Sequence, residues 1–420
     1  MSSASIANQK QIKSRKTWFD GVAKKAVHTL LRRLTIGHLV VEDGDQRHEF
    51  GQSPDLTPYH AHIVIHDQGA YRDVFNNASI GAGEAYMRGW WSTPDLVAVI
   101  RLMVANLNVI NEADSARPIW SRMATYLFHK FNANSRSGSK KNISAHYDLG
   151  NDFFRLFLDP TMMYSAAIYQ TQRTSLEEAA VHKLDHICQK LELKPTDHLV
   201  EIGTGWGGMA IHAAKNYGCK VTTTTISQEQ YEYAKQRVAD EGLSDKITLL
   251  LKDYREMEGQ YDKLVSIEMI EAVGHEFYDS YFSKCSSLLK PSGLMVIQAI
   301  TIADQRYDYA KNSVDFIQRY IFPGGCLPSV QVISDRLARK TDMQMVALED
   351  ITEHYAMTLA DWRQRFHEQR HRVTDMGFDD VFCRMWDFYL AYCEGGFKER
   401  AISTVQTVFA KPGYRFTVPE

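Results

Sequence analysis

The amino-acid sequence predicts an α/β fold, a seven-stranded and mainly parallel sheet with helical insertions, preceded by a small α+β domain. Three observations carry this expectation. From residue 197 onward short apolar strands alternate with helical segments, the pattern that buries a parallel sheet between layers of helices. The segment His198-Leu-Val-Glu-Ile-Gly-Thr-Gly-Trp-Gly-Gly-Met-Ala210 runs from an apolar strand through a glycine-rich turn into a helix, the kind of junction at which such sheets hold a ligand. With 420 residues, 44% of them hydrophobic, the chain is long enough for two domains or more.

Taken in order, the first 34 residues hold eight Lys or Arg against the single acid Asp20. Trp18, Phe19, Val22, Ala26, Val27, Leu30, Leu31 and Leu34 recur at helical spacing, while Lys24, Lys25, Arg32 and Arg33 share the remaining arc. A basic amphipathic helix over 1–34 is expected, suited either to an anionic lipid surface or to packing on its own domain. Residues 35–130 mix alternating segments such as Ala61-His-Ile-Val-Ile-His66 with a helical run after Pro94, which indicates a compact α+β domain. The polar stretch 131–142 follows as a linker.

The main domain is expected over 143–420. Its strands are predicted near 197–202, 219–225, 246–251, 262–268, 293–302, 343–350 and 402–410, with helices near 207–216, 228–241 and 275–290. The last strand follows a hairpin-like return, and the whole reads as a Rossmann-like sheet with its ligand at the carboxyl ends of the strands. Segments 303–342 and 352–400 are aromatic, helical in period and too long for simple connections. They are expected to form a lid over the site.

Composition narrows the function. A net charge of -3 argues against nucleic acid as the main partner. The six cysteines show no C-x-x-C spacing, so reduced thiols, a cytoplasmic setting and no metal are expected. Arg101 interrupts the longest apolar run, Leu96 to Ile110, so any membrane contact is expected to be peripheral.

Gly203, Gly205 and Gly207 allow a tight turn and a close approach to a ligand, because no Cβ intervenes. A dinucleotide site would place an acid on the ribose about 20 residues further on, where this chain carries the threonines of Cys219-Lys-Val-Thr-Thr-Thr-Thr-Ile226. Glu201, taken as part of the glycine turn, and Thr225, Ile226, Ser227, Gln228 and Gln230 suit an adenosyl ligand held through neutral hydrogen bonds. S-adenosylmethionine fits this pattern better than NAD.

Further motifs surround that turn: Asn142-Ile-Ser-Ala-His-Tyr-Asp-Leu-Gly-Asn-Asp-Phe153, Leu158-Asp-Pro-Thr-Met-Met-Tyr-Ser165, Asp253-Tyr-Arg255, Ser266-Ile-Glu-Met-Ile-Glu-Ala-Val-Gly-His275, and Asp315-Phe-Ile-Gln-Arg-Tyr-Ile-Phe-Pro-Gly-Gly-Cys-Leu-Pro-Ser329. In these motifs, in order and over roughly 35–410, the chain resembles the cyclopropane fatty acid synthases. Gly81-Ala-Gly-Glu-Ala-Tyr-Met-Arg-Gly-Trp-Trp91 is similar to that family's N-terminal lipid-associated domain.

The resemblance implies a class I methyltransferase that moves the methylene unit of S-adenosylmethionine onto the cis double bond of unsaturated acyl chains in membrane phospholipids. It implies cofactor contacts at Tyr164, Ser165, Gly203, Gly205, Thr225, Ile226, Gln230, Tyr254, Arg255 and Ile267. It also implies a bound bicarbonate, acting as base, against Ala166, Glu271, Gln298, Ile300 and Tyr355. Two of those positions depart from the family pattern, which more often has Cys in place of Ala166 and often has His in place of Gln298. Cys393 matches a cysteine proposed to act in some members, although this chemistry needs no thiol nucleophile. His146, Tyr147 and His275 are expected to be structural or packing residues, and Glu268 to be less important than Glu271.

Peripheral attachment to the inner membrane face and a homodimer are the family's habits. Three other readings stay open: a fatty acid C-methyltransferase that quenches the same cation without closing a ring, a small-molecule N-methyltransferase, and a non-catalytic lipid-binding protein on the same scaffold.

Overall fold

The structure is a computed structural model that describes residues 18–109, 111 and 149–415. His146, Tyr147 and the expected linker 131–142 lie outside the described residues. In chain order the elements are α1 (Phe19–Leu31), β1 (His38–Asp43), β2 (Gln46–Gly51), β3 (His60–Ile65), α2 (Gly69–Met87), β4 (Trp91–Ser92) and α3 (Leu96–Ala105). Then follow α4 (Asn151–Phe154), α5 (Leu176–Lys190), β5 (His198–Ile202), α6 (Gly208–His212), β6 (Lys220–Thr225), α7 (Gln228–Asp240), β7 (Ile247–Leu251), β8 (Tyr261–Ile267), α8 (Tyr278–Leu288) and β9 (Leu289–Ile302). The remainder is α9 (Asp304–Ala310), α10 (Phe316–Tyr320), α11 (Val330–Lys340), β10 (Gln344–Asp350), α12 (Thr352–Glu368), α13 (Arg370–Asp375), α14 (Asp380–Lys398) and β11 (Ile402–Ala410).

These elements form two compact units that are not consecutive in sequence. Of the described residues, the first takes those within 1–128 together with 313–321 and 362–401, and the second takes those within 129–312 together with 322–361 and those within 402–420. A division into consecutive domains with a boundary near 131–142 therefore does not describe the grouping. Of the segments expected to act as a lid, 313–321 and 362–401 join the N-terminal unit.

The second unit holds the seven-stranded sheet, in the order β10-β11-β9-β8-β5-β6-β7. β5 runs parallel to β6 and β8, and β11 is antiparallel to both β9 and β10. All seven expected strands are present. Because successive strand residues face opposite sides, the central strands fill two cores. Leu199, Val221, Val265 and Val296 pack on one side with Leu184, Ile187 and Met209, and Val200, Ile202, Leu264 and Ile297 pack on the other with Tyr278, Tyr281 and Phe282.

The first unit carries the sheet β2-β1-β3-β4. α1 buries Ala23 and Val27 against Tyr71, with Phe19 and Leu31 beside them, so it packs on its own unit. Its apolar arc is narrower than the sequence spacing suggests, since Trp18 is 86% and Val22 47% exposed. The inserted segments meet this unit through aromatic packing. A Cβ on Gly83 of α2 would stand 2.5 Å from Phe316 of α10 and 3.1 Å from Phe388 of α14, and one on Gly395 of α14 would stand 2.6 Å from Ile100 of α3. Polar contacts reinforce it: Tyr86 donates to Asp387 Oδ2 at 2.7 Å, Arg363 Nε to Asp387 Oδ1 at 2.7 Å, and Tyr320 to Glu84 Oε1 at 2.6 Å.

Candidate active site

The site is built where β5, β6 and β8 end. The chain leaves β5 at Ile202 and turns through Gly203, Gly205 and Gly207 at φ +99°, +52° and +87°, values that L side chains rarely adopt. The amides of Gly203 and Thr204 both donate to Thr224 O, at 3.1 and 3.0 Å, which ties the turn to the end of β6. No heavy atom stands within 4 Å of where a Cβ on Gly205 would be. The turn thus leaves open space above its backbone for a ligand. Glu201, expected in the turn, lies instead within β5, where burial raises its carboxyl to about 8.

After β6, Thr225 Oγ1 donates to Gln230 Oε1 at 3.0 Å and accepts the Ser227 amide at 3.1 Å, while Ser227 caps α7 by accepting the Gln230 amide. Ile226 lies between them. These are the neutral hydrogen-bonding groups the sequence suggested for an adenosyl ligand. Beyond the neighbouring β7, Arg255 is fixed by Asp253 through Nε and Nη2 at 2.8 and 2.6 Å, and the buried Tyr254 hydroxyl has no partner among the described residues. Tyr164 packs edge-on against Phe154 with centroids 5.4 Å apart, and the Ser165 hydroxyl accepts from Lys183 Nζ at 2.9 Å. The glycine turn and this donor set fit S-adenosylmethionine.

Ile267 ends β8 and leads into Glu268, whose φ of +49° is left-handed. The turn that follows is pressed onto the glycine loop, since a Cβ on Gly203 would stand 2.5 Å from Met269 Cγ. Three donors converge on the Glu268 carboxylate. The Ala166 amide reaches Oε1 at 2.9 Å, Gln298 Nε2 reaches Oε1 at 2.8 Å, and the Tyr355 hydroxyl reaches Oε2 at 2.8 Å. Gln298 Nε2 spends its second hydrogen on Ala166 O at 3.1 Å.

The orientation of Gln298 is dictated from behind. Lys190 Nζ can only donate, and it donates to Gln406 Oε1 at 2.6 Å; Gln406 Nε2 then donates to Gln298 Oε1 at 2.9 Å, which turns both Gln298 hydrogens toward the site. Glu271 stands beside this cluster. One of its oxygens accepts the Ile300 amide and the other is buried without a partner among the described residues. Burial, with Glu268 close by, pushes Glu271 up to about 8, and burial raises Glu268 as well. Lys183, fully buried, is drawn down to about 8 by burial against the attraction of Glu268, Asp159 and Glu201.

Ala166, Glu271, Gln298, Ile300 and Tyr355 are thus brought together, but not around an open anion site. Every donor assigned to bicarbonate by resemblance bonds a side-chain carboxylate: Ala166, Gln298 and Tyr355 to Glu268, and Ile300 to Glu271. A bound bicarbonate would also bring a further negative charge up against the buried Glu268 and Glu271 carboxyls. The residues present do not fit that anion. Cys393, on α14 in the first unit, has its thiol pushed far above the ordinary value by burial together with Asp315, the opposite of what a nucleophile needs.

Lys183, Lys190, Gln406 and the central place of Glu268 were not legible as site features in the sequence. Gln298 and Gln406 are 108 positions apart and meet only because β11 lies against β9.

Comparison with known proteins agrees with this geometry. Residues 134–407 match the family model described as mycolic acid cyclopropane synthetase. The tuberculostearic acid methyltransferase UfaA1 of Mycobacterium tuberculosis is 37% identical over 404 residues, covering 93% of this chain and 92% of its own length. The cyclopropane-fatty-acyl-phospholipid synthase of Escherichia coli is 37% identical over 355 residues, covering 84% of this chain and 88% of its own. The crystal structure of mycolic acid cyclopropane synthase CmaA1 complexed with SAH and CTAB aligns with a TM-score of 0.61 at 31% identity, covering 65% of this chain and 98% of that one. The chain belongs to the cyclopropane fatty acid synthase family and is an S-adenosylmethionine-dependent methyltransferase of that type.

Proposed function

We propose that the enzyme alkylates the cis double bond of unsaturated acyl chains in membrane phospholipids and closes a cyclopropane ring on the carbon it transfers. The observation that carries this reading is a carboxylate cluster, Glu268 and Glu271, pressed onto the glycine turn that receives the methyl donor. When bound, S-adenosylmethionine supplies an electrophilic methyl group. An alkene is a weak nucleophile, so the protein must hold it in line and keep water away. Tyr164, Tyr355 and the carboxylates offer the aromatic face and negative charge that stabilise a carbocation on the chain.

A second reading is favoured by a specific observation. The relative that matches 93% of this chain is named as a tuberculostearic acid methyltransferase, and Ala166 and Gln298 depart from the pattern expected for ring-forming enzymes. The alternative product is a methylated chain without a ring. Both readings start with the same bond between the donor methyl and an alkene carbon.

The deciding experiment incubates the protein with methyl-labelled S-adenosylmethionine and vesicles of dioleoylphosphatidylglycerol, followed by proton NMR of the acyl products. Cyclopropane ring protons are expected. Olefinic methylene or vinylic methyl signals would establish the second reading, and label left in the aqueous phase would overturn both. Attachment to the membrane surface belongs to the same proposal, with vesicle co-sedimentation as its check. Among the described residues, no helix is long and apolar enough to cross a membrane.

A further inference from the structure

Once the methyl has been transferred, the acyl chain is a cation and one proton must leave the transferred carbon before the product is neutral. Something in the site must accept that proton. We propose that the Glu268 carboxylate is this base, occupying with its own side chain the position in which family resemblance would place a bicarbonate. The inference rests on the reading that the acceptor is an alkene.

Four observations support it. Both Glu268 oxygens are held, by a backbone amide, a glutamine and a tyrosine, so the carboxylate has the fixed aim a base needs. Each oxygen still has lone-pair capacity beyond these bonds. The polarity of the Gln298 contact is imposed through Gln406 by Lys190, so the amide can offer only hydrogens and favours the ionised carboxylate. Finally, Glu268 adopts φ +49°, a conformation that costs a non-glycine residue on the order of 1–3 kcal/mol, so packing and hydrogen bonds hold the side chain in an unfavourable backbone position.

Glu271 completes the arrangement. Two neighbouring buried carboxyls do not readily both ionise, and the one with more donors keeps the charge. Glu268 has three donors, whereas Glu271 has one amide and a buried oxygen without a partner among the described residues. Glu271 therefore holds a proton and Glu268 the negative charge, with buried Lys183 attracted to it. In the step itself a C–H bond of the transferred carbon breaks and its proton goes to Glu268. The electron pair of that bond forms the third ring bond to the cationic carbon. If a hydride has first shifted from the methylated carbon to its cationic neighbour, the same pair forms a C=CH2 double bond on an open chain. Neither route needs an oxidant or a reductant.

The test uses the full-length protein in buffer freed of carbon dioxide, with labelled S-adenosylmethionine and dioleoylphosphatidylglycerol vesicles. Wild-type turnover should be the same with and without added bicarbonate. Glu268→Gln should lose at least about 100-fold in turnover, the scale of a lost general base, while calorimetry shows unchanged binding of S-adenosylmethionine. Glu268→Gly, which suits the positive φ, should be inactive alone and regain turnover on addition of bicarbonate. Carbon-13 NMR with labelled bicarbonate should show binding to the glycine variant and not to wild type. Wild-type dependence on bicarbonate, bicarbonate bound to wild type, or an active Glu268→Gln enzyme would each overturn the inference. If wild type leaves lipid unlabelled, the alkene reading fails, and the NMR titration still decides whether Glu268 occupies the anion position.

Discussion

Glu268 and Glu271 are three residues apart, yet they meet different numbers of donors, three on Glu268 and the Ile300 amide on Glu271. Glu201 is a third carboxyl of this kind and the simplest to isolate. It is 3% exposed within β5, one of its oxygens lacks a partner among the described residues, and burial raises it from 4.5 to about 8. The folded protein therefore keeps a proton that the unfolded chain releases. Stability from this group is complete below about 4.5 and is lost as pH rises through about 8. Glu201→Gln cannot release that proton, so its urea midpoint should fall less than that of wild type between about pH 6 and about pH 9. Equal slopes for the two proteins would show that Glu201 is not the group responsible.

At the scale of elements, the sheet was legible because its strands are short apolar runs bounded by turns, and all seven lie where that pattern puts them. The glycine turn was legible for the same local reason. The wiring behind the site was not, because it depends on which strands become neighbours: β11 inserts between β9 and β10 and brings Gln406 to Gln298. The convergence of three donors on Glu268 was not legible either, because a left-handed residue after a strand has no signature in side-chain spacing. The relay makes its own prediction. Gln406→Leu leaves Gln298 Oε1 without its donor and frees the amide to turn its oxygen toward Glu268. Turnover should fall about tenfold, the scale of a lost orienting contact, with the apparent affinity for S-adenosylmethionine unchanged and full activity restored by Gln406→Asn only if the shorter amide still reaches. A parallel loss of cofactor affinity would mean that the substitution disturbs the sheet rather than the amide.

At the scale of the whole molecule, the chain contributes to the N-terminal unit three times, and this was hidden because aromatic faces on α10 and α14 do not announce which surface they cover. Without them α2 and α3 lose Phe316, Phe388 and the close contact at Gly395. A fragment of residues 1–128 should therefore lack a cooperative thermal transition by circular dichroism, and a sharp transition would show that the later segments are dispensable. The interleaving also sets an order of events during synthesis. Neither unit has all its parts until residues near 400 have left the ribosome, since one needs α14 and the other needs β11. At roughly 5–20 residues per second, the first helices wait tens of seconds for their partners. Over that interval the faces of α2 and α3 that later meet Phe316, Phe388 and Gly395 have nothing of their own chain to cover them.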